Sequence, residues 1–198
     1  PFDPENYKAT PEAQRRNMAV AVCLEPGSTF KPFVAAGALE QRLVRPETMF
    51  DCHNGVYVMG GRTLHDVHEY GMLSVRDIIV YSSNIGMAQI GALMGPEMIY
   101  AYLRAYGFGR KTGIELPGET AGLLHPPKAW GKLTISSVPM GQEVAVSPLQ
   151  LTAGFCVFAN GGWRIKPRVL GGLWDTEGRR RLQGPPAPVF ERAVQEST

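Results

Sequence analysis

The sequence predicts a mixed α+β domain, rich in helix and sparing in strand, and three observations predict it. From Ser28 to about Leu43, apolar residues recur at helix spacing, with Phe30, Phe33, Val34, Ala38 and Leu39 on one side. Val56-Tyr57-Val58-Met59 and Arg62-Thr63-Leu64 flank Gly60-Gly61, a two-residue hairpin signal, because glycine tolerates the positive φ such turns require. Ser147-Pro148 then opens another helix through about Ala159, which Asn160-Gly161-Gly162 ends.

The remaining elements follow in chain order. Residues 1–17 are polar and proline-rich, an entry loop. Met18 to Leu24 is apolar enough for a buried strand or a short helix, and Glu25-Pro26-Gly27 breaks it. Pro32 falls in the first turn of the helix that follows, where a missing N–H costs little. Helices are expected at about 74–81 and 84–94, joined at Ser82-Ser83, and from Pro96 to Tyr106. The Gly/Pro-rich stretch 107–132 reads as loop. In the helix after Pro148, Leu149, Leu151, Phe155 and Val157 are expected mostly inward. Trp163 to Leu170 reads as a strand and 171–185 as a hairpin or loop.

A length of 198 residues suits one domain, or one domain of two lobes, with a substantial core. The net charge of +2 is spread along the chain; only Arg179, Arg180 and Arg181 cluster, bracketed by Gly178 and Gly184, which argues against a nucleic-acid surface. No apolar run approaches the roughly 20 residues that span a bilayer. The chain begins Pro1-Phe2-Asp3-Pro4, without Met or signal peptide, so an upstream portion is expected, and any membrane anchor would lie there. Cys23, Cys52 and Cys156 are too few for a disulfide framework and are expected to behave as small hydrophobes. Asp51, Cys52, His53, His65, Asp66 and His68 have spacings awkward for a tetrahedral zinc site and read as structural or surface residues; no metal or other cofactor is expected.

The chemistry starts at Ser28-Thr29-Phe30-Lys31, a Ser-x-x-Lys opening a helix. Positions i and i+3 share a helix face, so the ammonium can approach the hydroxyl, and free N–H groups at the helix start can stabilise an oxyanion. Serine needs a base, and lysine serves only when neutral. An ordinary lysine is neutral in only about one molecule in 2,500 at pH 7. The site must therefore lower its pKa by about three pH units, through burial and nearby positive charge. Alone, Ser-x-x-Lys recurs by chance. Ser82-Ser83-Asn84, at a break between two helices, adds a hydroxyl to relay a proton and a carboxamide to hold a substrate amide. As a local feature it would serve equally as a helix cap. Ser-x-x-Lys and Ser-x-Asn are two of the three motifs that mark penicillin-binding proteins and class A β-lactamases.

Glu25-Pro26-Gly27-Ser28-Thr29-Phe30-Lys31-Pro32-Phe33 resembles the active-site signature of class B penicillin-binding proteins. So do Ser82-Ser83-Asn84, the loop from Gly107-Phe108-Gly109 to Leu116-Pro117-Gly118-Glu119, Gly141-Gln142 with Ser147-Pro148-Leu149-Gln150-Leu151, and Asn160-Gly161-Gly162 with Pro167. Together these cover about residues 2–170. The resemblance implies the penicillin-binding protein and serine β-lactamase-like fold, a sheet lobe and a helical lobe with the site between them. It implies a peptidoglycan D,D-transpeptidase in which Ser28 is the nucleophile, Lys31 the base, Ser82 the proton shuttle and Asn84 a substrate contact. Expected partners are stem peptides ending in D-Ala-D-Ala, β-lactams that mimic them, and a division-complex glycosyltransferase, since Ser-x-Asn is more typical of division-type members. The resemblance places the catalytic domain outside the cytoplasm, on the periplasmic side of a bacterial inner membrane.

In that family the catalytic Lys-Thr-Gly lies on an edge strand late in the domain, whereas Lys111-Thr112-Gly113 lies in the 107–119 loop, so Lys111 is given no catalytic role. The third motif is expected beyond Thr198, making residues 1–198 a partial transpeptidase domain with weak or no activity by itself. A D,D-carboxypeptidase or β-lactamase on the same fold is the near rival, disfavoured by the 107–119 loop and the Ser147-Pro148 helix. A non-catalytic scaffold or β-lactam sensor is the distant one, distinguished by whether a Lys-Thr-Gly strand follows.

Overall fold

The computed structural model describes residues 4–183 and 190–198. Pro1–Asp3 of the expected entry loop, and residues 184–185 of the expected hairpin with Gly184, lie outside them. The chain enters through a 3-10 turn at Pro4–Ala9 and two single-turn helices, α1 (Glu12–Arg15) and α2 (Met18–Ala21). Of the two forms expected for Met18 to Leu24, the short helix is realised at its start. Leu24 then pairs with Val146 in an isolated antiparallel bridge.

Helix α3 (Lys31–Glu40) is the centre of the molecule, buried along almost its whole length from Lys31 to Ala38. The predicted helix from Ser28 to Leu43 is shorter at both ends. Gly27–Phe30 is a 3-10 turn, and the helix stops at Glu40 because Arg42 turns into the left-handed region at φ 54°. In a 3-10 turn i and i+3 lie directly above one another, so the change brings positions 28 and 31 closer in azimuth. Around Phe33, ring centroids of Phe30, Tyr106 and Phe108 lie at 5.6, 5.0 and 4.9 Å. Each such buried ring contributes about 1.5–3 kcal/mol by leaving water, and together they fix the floor on which the Ser28 turn sits.

Strand β1 (Met49–Asp51) pairs with β4 (Met72–Ser74), enclosing the hairpin β2 (Val56–Met59) and β3 (Arg62–His65). At the hairpin tip Gly60 and Gly61 have φ of 62° and 87°, as the sequence required. Helix α4 (Val75–Val80) starts at a capping box of Ser74 and Asp77, and α5 (Asn84–Ala105) starts from the Ser83 N-cap. Gly95 interrupts α5 at φ 74° and ψ 164°, so the expected restart at Pro96 is realised within one long element. The stretch 107–132 is loop apart from a 3-10 turn at Pro127–Ala129 and the bridge of Leu123 to Ala145.

Helix α6 (Thr134–Ser137) and a 3-10 turn at Val138–Met140 precede α7 (Pro148–Ala159), whose start is a capping box of Ser147 and Gln150. The fully buried residues of α7 are Gln150, Gly154 and the expected Val157; of the other residues expected inward, Leu151 packs partly buried against the core and the Phe155 ring lies 4.8 Å from that of Phe33 although 39% exposed. Gln150 holds the inner position because its amide donates to the carbonyls of Arg110 and Ala121. The strand expected at Trp163 to Leu170 is only β5 (Trp163–Ile165), ending before Pro167, and pairs with β8 (Phe190–Arg192). Strands β6 (Gly172–Trp174) and β7 (Arg180–Gln183) form the expected hairpin. Among the described residues all strands thus form two-stranded antiparallel ladders, and no helix is long and apolar enough to cross a membrane. Cys52 is buried as expected of a small hydrophobe, but Cys23 and Cys156 are exposed, and all three are free thiols.

Candidate active site

Ser28 is exposed at the mouth of a cleft of about 380 Å³, whose lining includes Arg62, His65, Asn84 and Gln142. Its turn is fastened from the opposite side of the chain. Leu24 and Val146 exchange two backbone hydrogen bonds of 3.0 Å, and the Gly27 N–H donates to Gly141 O at 3.0 Å. Glu25 Oε1 accepts from the Glu143 N–H at 2.8 Å. The approach is close: a Cβ on Gly141 would stand 2.1 Å from Gly27 O. Only glycine fits there, and its φ of 77° is also left-handed. Among the described residues the Ser28 hydroxyl has no hydrogen-bond partner, so it is free to rotate towards a base or an acyl carbon.

One helical turn deeper, Lys31 is 2% exposed. All three protons of its ammonium have acceptors: Ser82 O at 2.5 Å, Ser82 Oγ at 2.9 Å and Asn84 Oδ1 at 2.9 Å. Ser82 presents both oxygens to one nitrogen because its backbone is left-handed, φ 58°, an unusual conformation for a residue with a Cβ. Such a conformation costs on the order of 1–3 kcal/mol and persists only where surrounding contacts enforce it. Burial lowers the Lys31 pKa to about 8, against the opposing field of Asp66. At that value about one lysine in ten is neutral at pH 7. Among the described residues the charge acting on Lys31 is a carboxylate rather than the positive charge expected to help lower it, and desolvation brings the pKa down.

The Ser82–Asn84 break is held by Asp66, just past β3. Oδ1 of Asp66 accepts from the N–H groups of Asn84 at 2.5 Å and Ile85 at 3.1 Å, and Oδ2 accepts from Ser83 Oγ at 2.7 Å. Ser83 Oγ in turn accepts from the Gly86 N–H at 2.9 Å. The Asn84 amide donates to His65 O at 3.0 Å. The carboxylate therefore satisfies the otherwise orphaned first donors of α5, where negative charge also meets the positive end of the helix dipole.

The structure brings together Lys31, Ser82 and Asn84 by direct hydrogen bonds and places Ser28 and Asn84 in one cleft. It keeps Lys111 elsewhere, exposed in a loop that folds around buried Glu119, whose carboxylate accepts from Thr112 N–H and Oγ1 and from Gly113 N–H. Sequence reasoning missed Asp66, set aside with the histidines around it, and Gly141, quoted as a motif without a role. No local spacing marks the first, which meets the Ser83 cap across 17 residues. No local signal marks the second.

Over residues 1–197 the chain matches the penicillin binding protein transpeptidase domain. It is 34% identical over 200 residues to penicillin-binding protein PbpB of Mycobacterium tuberculosis, covering all of this chain and 29% of that protein. Stage V sporulation protein D of Bacillus subtilis is 33% identical over 200 residues, with 31% of its length covered. The chain therefore spans about a third of these relatives. Among solved structures, penicillin-binding protein 3 of Mycobacterium tuberculosis complexed with ampicillin superposes with a TM-score of 0.86 at 32% identity, over 99% of this chain and 43% of that one. A transpeptidase domain from Burkholderia pseudomallei penicillin-binding protein 3 gives 0.80 at 28% identity, over 93% and 53%. With its Ser-x-x-Lys and Ser-x-Asn joined through one buried amine, this chain belongs to the penicillin-binding protein transpeptidase family.

Proposed function

We propose that this chain carries the nucleophile, base and proton relay of a peptidoglycan D,D-transpeptidase. The observation that supports it most is the Lys31 amine, buried, partly neutral at pH 7, and seated on Ser82 and Asn84 below the Ser28 turn. Ser28 Oγ attacks the carbonyl carbon of the penultimate D-Ala of a stem peptide, and its proton passes to Lys31 Nζ. The C–N bond to the terminal D-Ala breaks, and that proton reaches the departing amine through Ser82 Oγ. An ester between Ser28 and the shortened peptide remains. An amine of a neighbouring stem peptide then attacks this ester, a proton returns to Ser28 Oγ by the same relay, and the cross-linking amide is formed. Asn84 keeps one amide proton beyond its bond to His65 O, available to a substrate carbonyl. The Ser28 backbone N–H, at the start of a helical turn, supplies one oxyanion donor.

β-Lactams would acylate the same serine; penicillin-binding protein 3 of Mycobacterium tuberculosis has been solved in complexes with ampicillin and aztreonam. In the natural protein these residues form part of one transpeptidase domain, with a Lys-Thr-Gly strand downstream and a membrane anchor upstream. The domain works on the periplasmic side of the inner membrane beside a division-complex glycosyltransferase. The test is covalent labelling of the full-length natural protein with a fluorescent penicillin, alongside Ser28→Ala. The label should be lost in the variant; a persistent label on Ser28→Ala would overturn the assignment.

A further inference from the structure

Asp66 makes contacts that the reaction as described does not use. Its carboxylate accepts three hydrogen bonds, from Asn84 N–H, Ile85 N–H and Ser83 Oγ, and so pins Asn84 and the residue between it and Ser82, the pair that holds Lys31. Ser82 lies immediately before this fixed point in a left-handed conformation, and Asn84 lies upon it. Asp66 is also the charged group whose field is felt at Lys31. Other ionisable groups around the site are His65 beside Asp66, Arg62 across the cleft, and Asp51 and Cys52 behind Ser83.

We propose that Asp66 is a positioning residue for acylation: it sets the Ser82–Asn84 break so that three oxygens converge on the Lys31 amine, and it is the counter-charge that holds that amine's proton. The inference rests on the reading of Lys31 as the base for Ser28. The two roles oppose each other in a measurable way. Asp66 orders the relay, which speeds acylation, and favours the ammonium, which moves the acid limb of the rate to higher pH. An aspartate acting only as a helix cap would do the first and not the second.

The experiment measures the rate of covalent labelling by a fluorescent penicillin from pH 5.5 to 10 in the full-length natural protein, normalised to active sites. Asp66→Asn should lower the plateau rate by about tenfold or more and move the acid limb down by about one pH unit. Ser83→Ala loosens the same break without removing charge, so it should lower the plateau with the limb in place. Should Asp66→Asn fold poorly, Asp66→Glu keeps the charge while displacing it, and should lower the plateau with the limb unmoved. A limb unmoved in Asp66→Asn, a limb that moves instead in His65→Gln, or one that moves in Asp66→Glu would overturn the proposal. Label retained on Ser28→Ala would instead defeat the reading of the nucleophile, so the two failures are distinguishable.

Discussion

At Lys31 a burial cost and a chemical need coincide. The folded pKa of about 8 lies below the ordinary 10.5 that the unfolded chain has. Between those values the unfolded state binds more protons, so stability rises with pH across that window. The cost of burying the ammonium is fully present below pH 8 and gone above 10.5. The difference in unfolding free energy between wild type and Lys31→Met should therefore change by roughly 3 kcal/mol from pH 7.5 to 10.5. Denaturant titrations across that range measure it, and a pH-independent difference would contradict a burial-lowered lysine. The same variant should label with penicillin about 10²–10⁴-fold more slowly. Ser28, Lys31, Ser82 and Asn84 were legible in the sequence because each pair is a short local spacing. Asp66 was not, since its role exists only through contacts 17 to 19 residues away along the chain.

Among the elements, those that carry their own signal were readable: α3 by apolar spacing, α7 by its Ser-Pro cap, the β2–β3 hairpin by its glycines, the break in α5 by Gly95-Pro96. The β1–β4 ladder was not. Its three-residue strands meet across an intervening hairpin and have too few positions to express a period. The inward face of α7 was legible through Leu151, Phe155 and Val157 but not through Gln150, because a glutamine satisfied by two loop carbonyls is buried where hydrophobicity alone expects an apolar side chain. The clamp between the Ser28 turn and residues 141–146 belongs to this scale. Gly141→Ala puts a methyl group into Gly27 and must displace one segment or the other. It should destabilise by about 1–3 kcal/mol and slow acylation more than tenfold, because a shift of about 1 Å at a nucleophile is costly. Thermal melts and labelling rates separate the two effects; an unchanged labelling rate would show that the clamp does not hold the nucleophile.

Taken whole, the molecule has an aromatic core around Phe33 and partly exposed apolar side chains on elements packed against α7. Met18 on α2, Phe155 and Phe158 on α7, and Trp163 on β5 are 56%, 39%, 39% and 36% exposed, and α2 and β5 both pack on α7. Exposed apolar side chains on neighbouring elements favour association. A polypeptide of these 198 residues alone should elute larger than its 21.6 kDa and brighten an apolar dye; a dye-silent monomer would contradict the exposure. The fold class was legible because helix signals dominate the chain, whereas the pairing of its small ladders depends on partners distant in sequence.

The fastening of the Ser28 turn has a temporal consequence. Lys31 meets Ser82 across 51 residues, Arg62 meets Gln142 across 80, and Glu25 meets Glu143 across 118. Contacts of such separation close late, since each waits on the loop entropy of everything between. The aromatic contacts of Phe33 with Tyr106 and Phe108 are of similar reach, so the core and the fastening of the Ser28 turn close in the same late phase. A nascent chain would keep its serine inert until the segment carrying Gly141 and Glu143 has emerged and docked, so the first moment at which penicillin can capture it reports that docking.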